Sequence, residues 1–109
     1  MIKRLENYSL EDTRFHGHYF EATLDDLEKV CGKVMYTDND IKEKTQNEWE
    51  MSTKDDVHFT IYDWKEYREY DRDEMIEWHI GTENRFGSLK AYEAMKRAFH
   101  LHPKVNYNI

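Results

Sequence analysis

The run NEWEMSTKDDVHFTIYDW, Asn47 to Trp64, decides the fold. Trp49 and Met51 alternate with Glu48, Glu50 and Ser52, the period of two that marks a half-buried strand. The polar triplet Lys54, Asp55 and Asp56 then reads as a turn. Beyond it Val57, Phe59 and Ile61 share one face, while His58, Thr60, Tyr62 and Trp64 share the opposite one. The stretch predicts a β-hairpin with one apolar face and one polar-aromatic face.

Downstream, IEWHIG alternates again, with Ile76, Trp78 and Ile80 inward and Glu77 and His79 outward. SLKAYEAMKRAFHL follows with an apolar stripe of Leu89, Tyr92, Met95 and Phe99 at helical spacing, Ser88 as N-cap, and Pro103 to end it. Upstream, RFHGHYFEA (Arg14 to Ala22) is an aromatic strand with a bulge or turn at Gly17. Thr23 caps a short helix from Leu24 to Cys31, with Asp26 three residues on and Gly32 as the stop. Thr37 to Lys44 reads as a polar loop. The order is β-α-β-β-β-α. It predicts one α+β domain over residues 1–109, a small, mostly antiparallel sheet of three or four strands with two helices.

Composition narrows the function. The chain has 109 residues, 36% of them charged, and a formal net charge of −7, which disfavours nonspecific binding to nucleic acid or anionic membrane. An acidic chain suits a basic protein partner. A single cysteine excludes an internal disulfide and a cysteine zinc site, and a reducing cytosol is its natural compartment. No apolar run approaches a membrane span. Six histidines raise the question of a metal, but neither HExxH nor HxxxH spacing occurs, so neither metal nor cofactor is expected. Cys31 lies on the apolar face of its helix and reads as core.

Two groups of residues stand out as candidate sites. The segment Lys65 to Met75 is longer than a hairpin needs and sets tyrosines among charges. It makes Tyr62, Trp64, Lys65, Tyr67, Arg68, Tyr70, Asp71 and Asp73 a candidate partner-binding surface. His58, Thr60, Glu77 and His79, on the polar face of the sheet, form a candidate ligand face. Glu77 and His79, with Glu48 or Glu50 across the sheet, have the residue types of an acid–base pair, though strand alternation alone produces that spacing. Covering of this face by a second subunit is the alternative to an external partner. Charge is uneven. Asp63, Glu66, Glu69, Asp71, Asp73, Glu74 and Glu77 crowd one segment, and Arg85, Lys90, Lys96, Arg97 and Lys104 dominate the last. That asymmetry allows a homodimer pairing the two.

The runs LDDLEKVCG, KTQNEWEM, VHFTIYDWK and IEWHIGT together resemble a family of small bacteriophage-encoded proteins. Such proteins carry a helix ending in Phe-Gly, an IYDWK-like strand and an EWHIGG-like strand. The resemblance covers roughly Thr23 to Gly81, with Cys31 in place of Phe and Thr82 in place of the second Gly. It implies phage origin and the host cytoplasm as the site of action, but no activity. Two readings compete on it. One is a non-enzymatic inhibitor that binds a host defence component, such as a CRISPR effector, by protein contact. The other is a sponge that sequesters a nucleotide immune signal in an aromatic pocket. A small Glu/His hydrolase is a third.

Overall fold

In a computed structural model the two segments of the predicted hairpin pair as their alternation requires. The structure describes residues 2–5, 13–37, 47–64, 69–102 and 104–109. In chain order the elements are β1 (Ile2–Arg4), β2 (Arg14–Thr23), α1 (Leu24–Cys31), β3 (Tyr36–Thr37), β4 (Asn47–Thr53), β5 (His58–Asp63), β6 (Met75–Thr82), α2 (Arg85–His100) and β7 (Tyr107–Asn108). The sheet runs β1-β4-β5-β6-β2-β7, with β3 also on β4, and every pairing is antiparallel.

The expected sheet of three or four strands is therefore corrected. Seven strands pair into one sheet, curved into a half-barrel. The α+β class and the two helices stand. The three strands absent from the sequence reading, β1, β3 and β7, have three, two and two residues. Each is too short to display a period of two. Their pairing is set by long-range contact: β1 and β3 share one edge of β4, and β7 adds to the far edge of β2.

Both helices contribute to the core on one face of the sheet. Trp49, Phe59, Ile61, Trp78 and Ile80 are fully buried, as are Leu27, Met95 and Phe99 from the helices. The two tryptophans meet edge to face at 5.5 Å, and Phe20 meets Phe99 the same way at 5.3 Å. Each indole N–H is satisfied. Trp49 Nε1 donates to the Gly32 carbonyl at 2.9 Å and Trp78 Nε1 to the Ala22 carbonyl at 3.0 Å. Tryptophan thus links the sheet to the end of α1 and to the neighbouring strand.

Local chemistry accounts for the helix ends. The Thr23 hydroxyl accepts from the Asp26 N–H at 3.0 Å, and Gly32 ends α1 at a φ of 84°. Helix α2 begins a turn before Ser88. Asn84 is its cap, accepting from the Gly87 N–H at 2.8 Å, while Ser88 is buried and its hydroxyl meets His18 Nδ1 at 2.8 Å. Leu89, expected on the buried stripe, is 45% exposed. Asp26 ties the C-terminal segment down. Burial pushes its carboxyl up, but the Asn106 N–H, Lys29 and Thr23 outweigh that and hold it below the usual carboxylate range. Among the described residues no helix is long and apolar enough to cross a membrane.

Candidate functional site

The side chains opposite the core are set by register. Tyr36 pairs with Glu48, Glu48 with Tyr62, Tyr62 with His79, and His79 with Tyr19. Five adjacent strands thus carry one transverse row, Tyr36–Glu48–Tyr62–His79–Tyr19, about 19 Å long at ordinary strand spacing. A second row beside it runs Glu50–Thr60–Gly81–Phe15. Alternation puts all of these on one face, because residues paired directly across a sheet point the same way.

His79 is the centre of this face. Its ring stacks on Phe15 at 4.1 Å and on Trp64 at 5.4 Å, with interplanar angles of 20° and 18°. Tyr62 meets it edge-on at 5.8 Å, and Tyr19 lies tilted at 6.3 Å. His79 Nε2 is 2.7 Å from Glu77 Oε2. The ring is almost wholly enclosed, and Nδ1 is buried without a hydrogen-bond partner. Glu77 Oε2 accepts from Nε2.

Gly81 makes this packing possible. A Cβ there would stand 2.5 Å from Thr60 Oγ1 and 3.2 Å from Tyr62 Cε1. The irregularity in β2 has a matching role. Between Phe15 and Tyr19 the strand slips against β6, around Gly17 with its φ of +103°. The slip brings both Phe15 and Tyr19 around His79.

The other half of the row is acidic. Burial, and then the charges of Glu50 and Asp63, push the Glu48 carboxyl up from the ordinary 4.5 to about 7. Burial and Glu48 raise the Tyr62 phenol too. On the opposite side Glu50 and Glu48 raise Tyr36, whose hydroxyl hydrogen-bonds Glu50. Among the described residues no cation lies against Glu48.

The sequence-predicted surface is split by the fold. Tyr62 and Trp64 lie on the aromatic face, their rings 6.1 Å apart. Tyr70 turns the other way. It packs edge-on against core Trp78 at 6.5 Å, and its hydroxyl donates to buried Asp63 at 2.6 Å while accepting from Asn47 Nδ2 at 2.7 Å. Asp71 and Asp73 are exposed nearby, where Arg72 pairs with Asp25 and Glu28 of α1. Lys65, Tyr67 and Arg68 lie outside the described residues.

Of the predicted ligand face, Glu77 and His79 are joined and Thr60 sits in the second row, its hydroxyl 3.5 Å from the Gly81 carbonyl. His58 is apart, at the hairpin end. It pairs with Asp56 at 3.1 Å and lines a shallow hollow of about 320 Å³ beside Phe86 and Lys90. Phe15, Tyr19 and Tyr36 were not singled out from sequence. The bulge at Gly17 breaks the alternation that would have placed the first two, and Tyr36 stands in a two-residue strand. Among the described residues no three His, Cys, Asp or Glu side chains cluster as metal ligands. Burial pushes the Cys31 thiol up, away from nucleophilic chemistry.

Comparison of the chain with family models, with curated proteins and with solved structures finds no match.

Proposed function

We propose that this protein is a non-enzymatic binding protein whose aromatic and acidic sheet face docks a basic surface of a protein partner. The observation that carries this is the row Tyr36–Glu48–Tyr62–His79–Tyr19, with Phe15 and Trp64 beside it. Large rings supply area that gains by desolvation, and the carboxylates select a partner of opposite sign. Resemblance to small phage-encoded proteins puts host defence components first among the candidates for that partner.

Two observations weigh against the other readings. The acidic face would repel a nucleotide's phosphates, and the basic residues Lys90, Lys96 and Arg97 stand on α2, which packs on the core side of the sheet. An acid–base enzyme draws support from the raised Glu48 carboxyl. Against it, His79 Nε2 is taken by Glu77, and the ring is closed between Phe15 and Trp64.

The test is affinity capture from bacterial extract with tagged wild type, Tyr62→Ser and Glu48→Gln. The expected result is a protein retained by wild type in a salt-sensitive way and lost from both variants. Equal capture by all three, or recovery of nucleotides alone, would overturn the proposal.

A further inference from the structure

The outward flank of α2 carries a second surface, built apart from the aromatic row. Three shallow hollows of about 320, 370 and 140 Å³ lie along it. The first and second share Lys90, and the second and third share Ala94 and Arg97, so they join into one trough. The turn between β4 and β5 walls the first two parts, through Val57 and Lys54. Ile2 of β1 and Val30 of α1 wall the last. From Phe86 to Leu101 the trough is about 22 Å long at ordinary helical rise. Its chemistry is segmented. Phe86 is 83% exposed at one end and Leu101 is 68% exposed at the other. Between them stand Lys54, Lys90 and Arg97, all exposed. Among the described residues none of these three side chains makes a hydrogen bond or an ion pair, although the chain holds 23 acidic residues. Two carboxylates, Asp55 and Glu93, interrupt the bases.

We propose that this trough docks an extended acidic segment of a partner protein, with an apolar side chain at each end of the segment. Charge sets the sign of the ligand. Its carboxylates supply the partners that Lys54, Lys90 and Arg97 lack within the described fold. Phe86 and Leu101 are the apolar anchors, and covering them removes exposed area from water. Size sets the conformation. Hollows this small take single side chains, whereas a helix is about 10–12 Å across. At strand rise the trough spans about seven residues of extended chain. Asp55 and Glu93 select against a nucleic-acid strand, which sets a phosphate at every step and would meet them. A peptide sets backbone N–H groups there instead. An anionic bilayer is repelled by the net charge of −7 and is too flat to place a charge between helix and turn.

The test is a chemical-shift titration of the whole isotope-labelled protein with blocked peptides of about seven residues, the length the trough spans. The first has leucine at both ends and glutamates in the middle. The second replaces the glutamates by glutamine, and the third replaces the leucines by alanine. The expected result is that the first peptide moves the amide signals of Lys54, Lys90 and Arg97 and binds roughly fivefold tighter than either of the others. Its advantage over the glutamine peptide should vanish at high salt and in the double variant Lys90→Gln with Arg97→Gln. Its advantage over the alanine peptide should vanish in Phe86→Ser. Lys96→Gln makes the same charge change on the same helix at a residue that lines none of the three hollows, and should bind as wild type. Equal binding of the glutamate and glutamine peptides would overturn the proposal. So would shifts that miss the trough, no shift with any peptide at millimolar concentration, or tighter binding of hexathymidylate or phosphatidylserine vesicles. Each of these failures leaves the sheet-face reading standing, because capture by Tyr62→Ser and Glu48→Gln tests that reading separately.

Discussion

Replacing Glu48 by Gln should stabilise the protein at neutral and alkaline pH. The wild-type carboxyl titrates at about 7 in the fold against an ordinary 4.5. Between those values the folded state binds more protons than the unfolded chain, so stability falls as pH rises through the window. Below 4.5 both states are protonated and the penalty is absent; above 7 it is fully present. A shift of that size corresponds to roughly 3 kcal/mol at a shielded site, and solvent screening at a half-buried one trims it to about 2 kcal/mol. Glutamine keeps the shape and has no charge to desolvate. Urea unfolding of both proteins at intervals from pH 5 to pH 8 would isolate the effect, because the remaining carboxylates are common to both. The difference in unfolding free energy, variant minus wild type, should grow by on the order of 2 kcal/mol across that range, with unchanged m-values. A difference that stays flat with pH would show that Glu48 is solvated or already paired, and the acidic half of the row would lose its meaning.

Tyr70→Phe should cost about 1.5–3 kcal/mol in a denaturant melt, because it removes a hydroxyl bonded to buried Asp63; a loss under about 0.5 kcal/mol would return Tyr70 to the exposed surface. Gly81→Ala drives a methyl into Thr60 and Tyr62, and should cost about 1–3 kcal/mol while weakening the near-ultraviolet aromatic dichroism; an unchanged spectrum and stability would contradict the packing around His79. Trp78→Ala should lose about 3–5 kcal/mol, since the ring is fully buried and its N–H is bonded to Ala22. Incubation with nucleic acids, cyclic nucleotides and nucleoside triphosphates, with and without divalent metal, should yield no product; turnover abolished in both Glu77→Gln and His79→Ala would establish an enzyme.

The sequence shows the fold where its pattern repeats. Strands β4, β5 and β6 are six to eight residues long, enough for alternation to assign every side chain to a face. Helix α1 carries its cap and stop in Thr23 and Gly32. Legibility fails where no period exists. A two-residue strand such as β3 or β7 is defined by its partner, not by its composition, and so the sheet is larger than alternation suggests. The site divides along the same line. Tyr62, Trp64, Glu77 and His79 follow from alternation. Their convergence with Tyr19 and Phe15 depends on a two-residue slip at Gly17, whose size no local pattern encodes. Tyr70 stands in a charged segment that suggests exposure, yet it has a buried carboxylate to bond, and only the fold brings Asp63 and Asn47 to it.

The central claim is that the partner docks on the sheet face. Chemical-shift mapping on isotope-labelled protein, as the captured partner is added, tests it most directly. Perturbation should concentrate on Tyr36, Glu48, Tyr62, His79 and Tyr19, which come from five strands adjacent across the sheet, and on Trp64 just beyond β5. Perturbation confined to the outward residues of α2, around Arg85, Lys90 and Arg97, with the row unmoved, would contradict the account.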